Sequence, residues 1–164
     1  MKIALGCDHG GYELKEFIKR VLERLGDSYE DFGCNSTESC DYPNFGAAAA
    51  RAVAEGKCQR GIVICTTGIG ISIAANKIKG IRCAHCADCL EAEMTRRHND
   101  ANMLAIGAGF TGKNMAERMV EGFLSTELAA WKRGDRAWRE QRAIAVIEDA
   151  ERNGKSCWRC CCAW

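Results

Sequence analysis

Apolar and polar positions follow two periods along this chain, and the two take turns. Residues 2–6 form a short apolar run that ends in the polar, glycine-rich turn Cys7-Asp8-His9-Gly10-Gly11. Over residues 12–25 the apolar side chains Leu14, Phe17, Ile18, Val21, Leu22 and Leu25 recur at helical spacing, and Gly26 stops the run. Residues 28–32 read as a second strand and 33–44 as a loop holding Pro43. The alanine-rich stretch 45–55 reads as a helix ended by Gly56. Residues 61–65, Gly-Ile-Val-Ile-Cys, make the most apolar strand, and the turn Thr66-Thr67-Gly68-Ile69-Gly70 opens a helix to residue 78. A strand at 81–85, a helix at 88–97, a strand at 103–107 and a helix at 114–124 follow. Residues 135–152 read as a long, charged, amphipathic C-terminal helix. This alternation predicts an α/β fold around a mostly parallel sheet. It is expected to form one domain over residues 1–153, with a Cys/Trp-rich tail at 154–164 that is poorly ordered.

Charge narrows the classes of partner. The 23 Lys+Arg nearly cancel the 22 Asp+Glu, which argues against sequence-independent binding to nucleic acid. No apolar run approaches the roughly 18 residues a membrane span needs. The first residues reach Cys7-Asp8-His9 too soon for the apolar core of a secretory signal, so a cytoplasmic location is expected. The 12 cysteines are many for 164 residues, yet the aliphatic helices and strands leave no need for a disulfide-stapled core. A reduced chain with at least one working thiol is the expectation.

In open parallel sheets ligands bind beyond the carboxyl ends of the strands. Those ends carry Cys7-Asp8-His9, Cys65-Thr66-Thr67 and Gly107-Ala108-Gly109, and His98-Asn99-Asp100 comes at a helix end. At Cys65 a thiol meets a turn whose free N–H groups form an anion site, and the same positive end favours a thiolate base or nucleophile. A buried structural cysteine before a tight turn would carry the same pattern. Asp8 and His9 suit sugar hydroxyls or a phosphate, although Asp8 also suits a helix cap. His98 suits a general acid or base, or a favourable partner for a helix C-terminus. His85 reads as a satisfied strand histidine. The spacings Cys83-x-x-Cys86-x-x-Cys89 and Cys157-x-x-Cys160-Cys161-Cys162 invite zinc. The first straddles a strand end and a helix start, so its thiols are expected to diverge, and incidental cysteine use accounts for both.

Taken together, Gly6-Cys7-Asp8-His9-Gly10-Gly11, Asp41-Tyr42-Pro43, the run from Gly61 through Cys65-Thr66-Thr67-Gly68-Ile69-Gly70-Ile71-Ser72 to Lys77, Gly80-Ile81-Arg82 and His98-Asn99-Asp100-Ala101-Asn102 resemble one family. It is the sugar-phosphate isomerases of the ribose-5-phosphate isomerase B type, which includes galactose-6-phosphate isomerase subunits. The resemblance runs from Met1 to about Leu124. It implies a three-layer Rossmann-like sandwich and a homodimer with shared active sites, and leaves open whether dimers pair into tetramers. It implies aldose–ketose interconversion of ribose 5-phosphate and ribulose 5-phosphate through a cis-enediolate, without metal or organic cofactor. A six-carbon substrate (galactose or allose 6-phosphate) or a tetrose phosphate is the alternative. By position, Cys65 resembles the base, His98 the ring-opening residue from the neighbouring subunit, and Thr67 the hydroxyl that assists proton shuttling. Gly68, Ile69, Gly70, Ile71 and Ser72, with Thr66 before them, resemble the anion-binding turn. Asp8, His9, Tyr42 and Asn99 resemble substrate contacts, and Lys132 and Arg136 fall on two phosphate-binding arginines. The chain departs from the pattern in having Thr66 where the family has glycine and Gly109 where it has a phosphate-binding arginine.

Overall fold

The computed structural model describes residues 1–130 and 135–153. Strands β1 (Lys2–Cys7), β2 (Ser28–Asp31), β3 (Arg60–Cys65), β4 (Cys83–His85) and β5 (Met103–Gly107) form one five-stranded sheet in the order β2-β1-β3-β5-β4. Every pairing is parallel. Six helices connect and flank it: α1 (Tyr12–Leu25), α2 (Tyr42–Ala54), α3 (Ile69–Ala75), α4 (Cys89–Asn99), α5 (Lys113–Ser125) and α6 (Arg136–Arg152). The expected α/β sandwich with a parallel sheet and a C-terminal helix is what the chain forms.

The strand period of two sorts the core into two layers. Ile3, Leu5, Ile62, Ile64, Leu104 and Ile106 face one way, onto Ile18 and Leu22 of α1 and Met119, Val120 and Phe123 of α5. Ala4, Val63, Cys65, Met103 and Ala105 face the other way, onto Ala49, Ala50 and Val53 of α2 and Ile71 and Ala75 of α3. The second layer is built of small residues because helix and sheet approach closely there. A Cβ at Gly6 would lie 2.9 Å from the Phe45 carbonyl oxygen and 3.1 Å from the Ala49 methyl. The alanine run of α2 is thus a packing requirement before it is a helix propensity.

Most element boundaries differ from the sequence expectation by one or two residues, and three shifts of two or three residues have an evident local cause. Helix α2 begins at Tyr42, three residues before residue 45, since Pro43 is tolerated in the first turn where its missing N–H costs nothing. Helix α3 stops at Ala75 rather than 78, and Asn76 turns its amide onto the backbone of Cys83, accepting from its N–H and donating to its carbonyl at 2.8 Å each. Strand β4 starts at Cys83 rather than 81: the Ile81 N–H closes a turn on Ile78, and the Arg82 N–H goes to Asn102 Oδ1. The tail at 154–164 and Lys132 lie outside the described residues.

One charge is fully inside. Lys15 of α1 has no exposed surface, and its ammonium donates to Asp31 Oδ2 at 2.6 Å and to the Cys34 carbonyl at 2.8 Å. Burial alone would push the Asp31 carboxyl up. The hydrogen bonds from Lys15 and Lys19, and one from the Gly33 N–H, outweigh that and hold it below the usual carboxylate range. Replacing Asp31 by Asn removes the nearer carboxylate partner of Lys15 and leaves it Glu16 at 3.3 Å, and a loss of about 3 kcal/mol is expected, read from the urea midpoint at pH 7. The carboxyl titrates lower when folded, so its contribution is complete above about pH 4 and is lost as pH falls through the folded value. The gap between wild type and Asp31→Asn therefore narrows in acid.

Candidate active site

Strand register brings the chemistry to one edge. Cys7 pairs with Ile64 and Cys65 with Gly107, so β1, β3 and β5 end together. The ladder continues past the strand ends through Asp8 N–H to Ile64 O, Ala108 N–H to Cys65 O and Gly109 N–H to Thr66 O. Chain order reverses between β1 and β3: after β1 the chain turns to α1 on one face, and after β3 to α3 on the other. The point where the two loops part is where open parallel sheets form their ligand crevice.

Cys65 sits at that point, 4% exposed, on the α2–α3 side. The N–H of Gly68 donates to its Sγ at 3.1 Å, placing a donor where negative charge on sulfur would form. Thr67 Oγ1 lies 4.0 Å from the same sulfur and accepts from the Ile69 N–H at 3.3 Å. Gly68 must be glycine: its φ is +77°, and a Cβ would lie 2.8 Å from both Gly107 N and Ile106 C. The N–H groups of Gly70 and Ile71 belong to the first turn of α3, which has no intrahelical acceptor for them. The Tyr42 ring covers this turn, its Cζ 2.6 Å from where a Gly70 Cβ would be. Ser72 is engaged within α3: its N–H goes to Gly68 O and its hydroxyl to Ile69 O.

Asp8 and His9 flank the crevice from β1. Asp8 is 5% exposed and its Oδ1 accepts from the Gly11 N–H at 3.1 Å, the capping role anticipated as its alternative. His9 Nδ1 lies 3.2 Å from the Cys40 backbone nitrogen. Nδ1 is also 3.3 Å from the Cys40 carbonyl oxygen, so the ring either accepts from the Cys40 N–H with its proton on Nε2 or donates from Nδ1 to that carbonyl.

Thr66 lies between two glycines. A Cβ at Gly10 would be 2.2 Å from Thr66 Oγ1, and one at Gly109 would be 3.0 Å from Thr66 O and 3.3 Å from Thr66 Cγ2. The threonine needs no left-handed backbone: among the described residues, Asp100 is the one non-glycine with positive φ.

His98 and Asn99 lie elsewhere. Helix α4 starts beyond the carboxyl end of β4 and descends to the entry of β5, so its last turn is at the amino edge of the sheet. Gln141 of α6 hydrogen-bonds the His98 carbonyl there. The five residues of β5, at about 3.3 Å each, put roughly 15 Å of sheet between that edge and Cys65. Arg136 is exposed at the start of α6 and pairs with Glu140 at 2.7 Å. One chain therefore gathers Asp8, His9, Tyr42 and the turn from Cys65 to Ser72, but not His98, Asn99 or Arg136.

His85 adds to the sequence reading. It is exposed at the carboxyl end of β4, with its ring Cδ2 2.6 Å from where a Gly68 Cβ would be. It is the last residue of β4, paired with Ala105 as the strand reading has it, and its ring also borders the Cys65 turn. Its position as the last residue before a polar turn was the available signal. Burial pushes the Cys83 and Cys86 thiols up to about 12, which keeps them protonated and inert. Among the described residues no three His, Cys, Asp or Glu side chains are grouped to hold a metal ion, and no helix is long and apolar enough to cross a membrane.

Residues 3–142 match the ribose/galactose isomerase family. Ribose-5-phosphate isomerase B of Escherichia coli is 43% identical over 147 residues, spanning 90% of this chain and 96% of that protein. D-erythrulose-4-phosphate isomerase of Pectobacterium atrosepticum is 38% identical, spanning 77% of this chain and 84% of that protein. The structure of Clostridium thermocellum ribose-5-phosphate isomerase B superposes with a TM-score of 0.84 at 47% identity, covering 92% of this chain and 99% of that one.

The role of the Gly68 donor can be read from the thiol itself. Gly68→Ala introduces a Cβ against the backbone of β5 and displaces the turn, removing the N–H from Cys65. Alkylation of Cys65 by iodoacetamide, followed by peptide mass spectrometry, is expected to slow by about tenfold, the low end for a hydrogen bond to a charged group.

Proposed function

This chain belongs to the ribose/galactose isomerase family and is a sugar-phosphate aldose–ketose isomerase, and we propose that its substrate pair is ribose 5-phosphate and ribulose 5-phosphate. The observation that carries the mechanism is the Cys65 thiol at the end of β3, bounded by the Gly68 N–H and the Thr67 hydroxyl. Cys65, as thiolate, takes the proton from C2 of the open aldose. The electrons move into an enediolate, and the thiol returns the proton to C1. The N–H groups of Gly70 and Ile71, which have no acceptor within α3, face the developing oxyanion, with Ser72 closing the turn behind them. Thr67 passes a proton between the two substrate oxygens. Asp8, His9 and Tyr42 contact the substrate, with His9 near its phosphate. Thr66 forms the floor between the β1 and β5 loops. The cycle draws its acid, base and oxyanion donors from side chains and backbone, without a cofactor.

A cyclic sugar must open first, and His98 is the acid–base group for that step. In one chain it lies at the far edge of the sheet from Cys65. We therefore take the working enzyme to be a homodimer in which the His98 and Asn99 of one chain complete the site of the other, with Arg136 and Lys132 supplying phosphate contacts. Nothing in the chain calls for nucleic acid or membrane, and a cytoplasmic setting fits the free thiols. A second reading, a four- or six-carbon sugar phosphate, draws on Thr66 and Gly109, which change the crevice floor and remove a phosphate-binding cation. The D-erythrulose-4-phosphate isomerase relative is in keeping with it.

Purified enzyme offered ribose 5-phosphate beside erythrulose 4-phosphate, allose 6-phosphate and galactose 6-phosphate is expected to turn over the five-carbon substrate with the highest kcat/KM. Preference for another member of the panel would replace the substrate assignment. In Cys65→Ala the rate should drop by roughly 10²–10⁴-fold, the usual contribution of a positioned base. Hybrids of Cys65→Ala and His98→Ala chains, purified through two different tags, should regain activity because one of their two sites is intact. Hybrids as dead as the parents would place both residues in the same chain's site.

A further inference from the structure

The segment Gly80-Ile81-Arg82 belongs to the motifs that identify the family, yet the chemistry above gives it no task. Arg82 lies just before β4, at the amino edge of the sheet, far from Cys65. Its guanidinium forms a two-pronged pair with α6: Nε donates to Glu148 Oε1 at 2.7 Å and Nη2 to Glu148 Oε2 at 3.1 Å. The remaining Nη1 donates to the Asn99 carbonyl at 3.0 Å and to Gln141 Oε1 at 3.3 Å. Gln141 uses its other end, Nε2, on the His98 carbonyl. The Arg82 backbone N–H is itself fixed, donating to Asn102 Oδ1 at 2.9 Å. Two consecutive carbonyls, those of His98 and Asn99, are thus held by one network that runs from Arg82 through Gln141 and is braced by Glu148.

These carbonyls lie in the last turn of α4, where a helix has no internal donors left to offer. Without the network their direction would be set by water. The backbone then enters a left-handed residue, Asp100 at φ +49°, and Arg96 Nη1 secures that corner from the other side on Asp100 Oδ1 and Ala101 O. If the imidazole is to act in a neighbour's crevice, its own chain must aim it.

We propose that Arg82 is a positioning residue for His98 and Asn99: it touches no substrate, and it fixes through Gln141 and Glu148 the end of α4 that delivers these two side chains to the partner's site. The proposal rests on the reading of His98 as the ring-opening residue in a shared site. It requires the planar fork of arginine, since two nitrogens grip the Glu148 carboxylate side by side while the third reaches the Asn99 carbonyl and Gln141. A lysine ammonium cannot do this. It also gives α6 a purpose, because that helix carries both Gln141 and Glu148.

The test uses the full chain with Arg82→Gln, Arg82→Lys and Glu148→Gln. With ribose 5-phosphate, kcat is expected to fall on the order of 10- to 100-fold in Arg82→Gln, the cost of a misaimed catalytic group, with KM little changed. Arg82→Lys should stay impaired. The chain has three histidines, so the imidazole NMR signals can be assigned with His98→Ala. Arg82→Gln should move the His98 signals and leave those of His9 in place. In two-tag hybrids, Arg82→Gln should recover activity with Cys65→Ala and not with His98→Ala, because it damages the half that His98 serves. The opposite pattern, or lost activity with unmoved His98 signals, overturns the proposal. So does full kcat in Arg82→Gln. The Cys65→Ala with His98→Ala hybrid is the reference: if it stays inactive, the shared site alone fails. The His98 signals then decide for Arg82, moved in its favour and unmoved against it.

Discussion

The parallel register of β1, β3 and β5 is the constraint from which the site follows. Because Cys7 stands opposite Ile64 and Cys65 opposite Gly107, three strands release their chains at one level. The ladder bonds beyond the ends then dictate where Asp8, Thr66 and Gly109 can lie. A slip of one residue would turn Cys65 from the α2–α3 side to the opposite face, since strand side chains alternate. The same parallel arrangement has a second consequence. Each connecting helix must run back against the strands, so whatever a helix carries at its C-terminus arrives at the wrong edge for the crevice. His98 and Asn99 are at that edge because α4 leads into β5. An enzyme that needs them beside Cys65 has to bring two chains together.

Much of this was legible beforehand, for physical reasons. The strand and helix periods survive because each element buries one face against a continuous sheet. Cys65 stood out because a thiol, a strand end and a glycine-rich turn coincide. What escaped depends on contacts between distant segments. The early start of α2 hinges on Pro43 being harmless in a first turn. The late start of β4 hinges on Asn102 capturing the Arg82 N–H. His85 was read by its element, when its place at the very end of an edge strand decided its surroundings. Helical spacing put Leu25 on the buried face of α1 and passed over Lys15, yet Leu25 is exposed and Lys15 is wholly buried. Asp31 and the Cys34 carbonyl account for the lysine, and neither is a local feature.

Among the described residues, the buried cysteines also separate on physical grounds. Cys58, Cys83 and Cys86 are buried small hydrophobes, and burial raises their thiols. Cys7 and Cys34 face each other at 3.8 Å inside the core, and burial drives the Cys7 thiol far up despite the nearby Lys15. Cys65 is as buried as these, but its sulfur accepts a backbone N–H at the mouth of a helix turn. Exposure does not set Cys65 apart from the rest; the direction of one amide does.

Two departures from the family pattern turn out to be one. Thr66 brings a side chain into a site where glycine is expected, and Gly109 removes one where arginine is expected. The Thr66 side chain lies against the backbone of both Gly10 and Gly109. A side chain at 109 would begin 3.0 Å from Thr66 O and 3.3 Å from its methyl, tighter than ordinary contact. Against the pattern the resemblance implies, the side chain stands in the β3 loop and not in the β5 loop, and position 109 carries no positive charge. The turn proposed to bind the oxyanion is untouched by this exchange, because Gly68, Gly70 and Gly107 have their close approaches to His85, Tyr42 and Thr67. The proton transfer proposed at Cys65 is therefore separable from recognition of the far end of the sugar. The exchange bears on which sugar phosphate fits and leaves the reaction as it is.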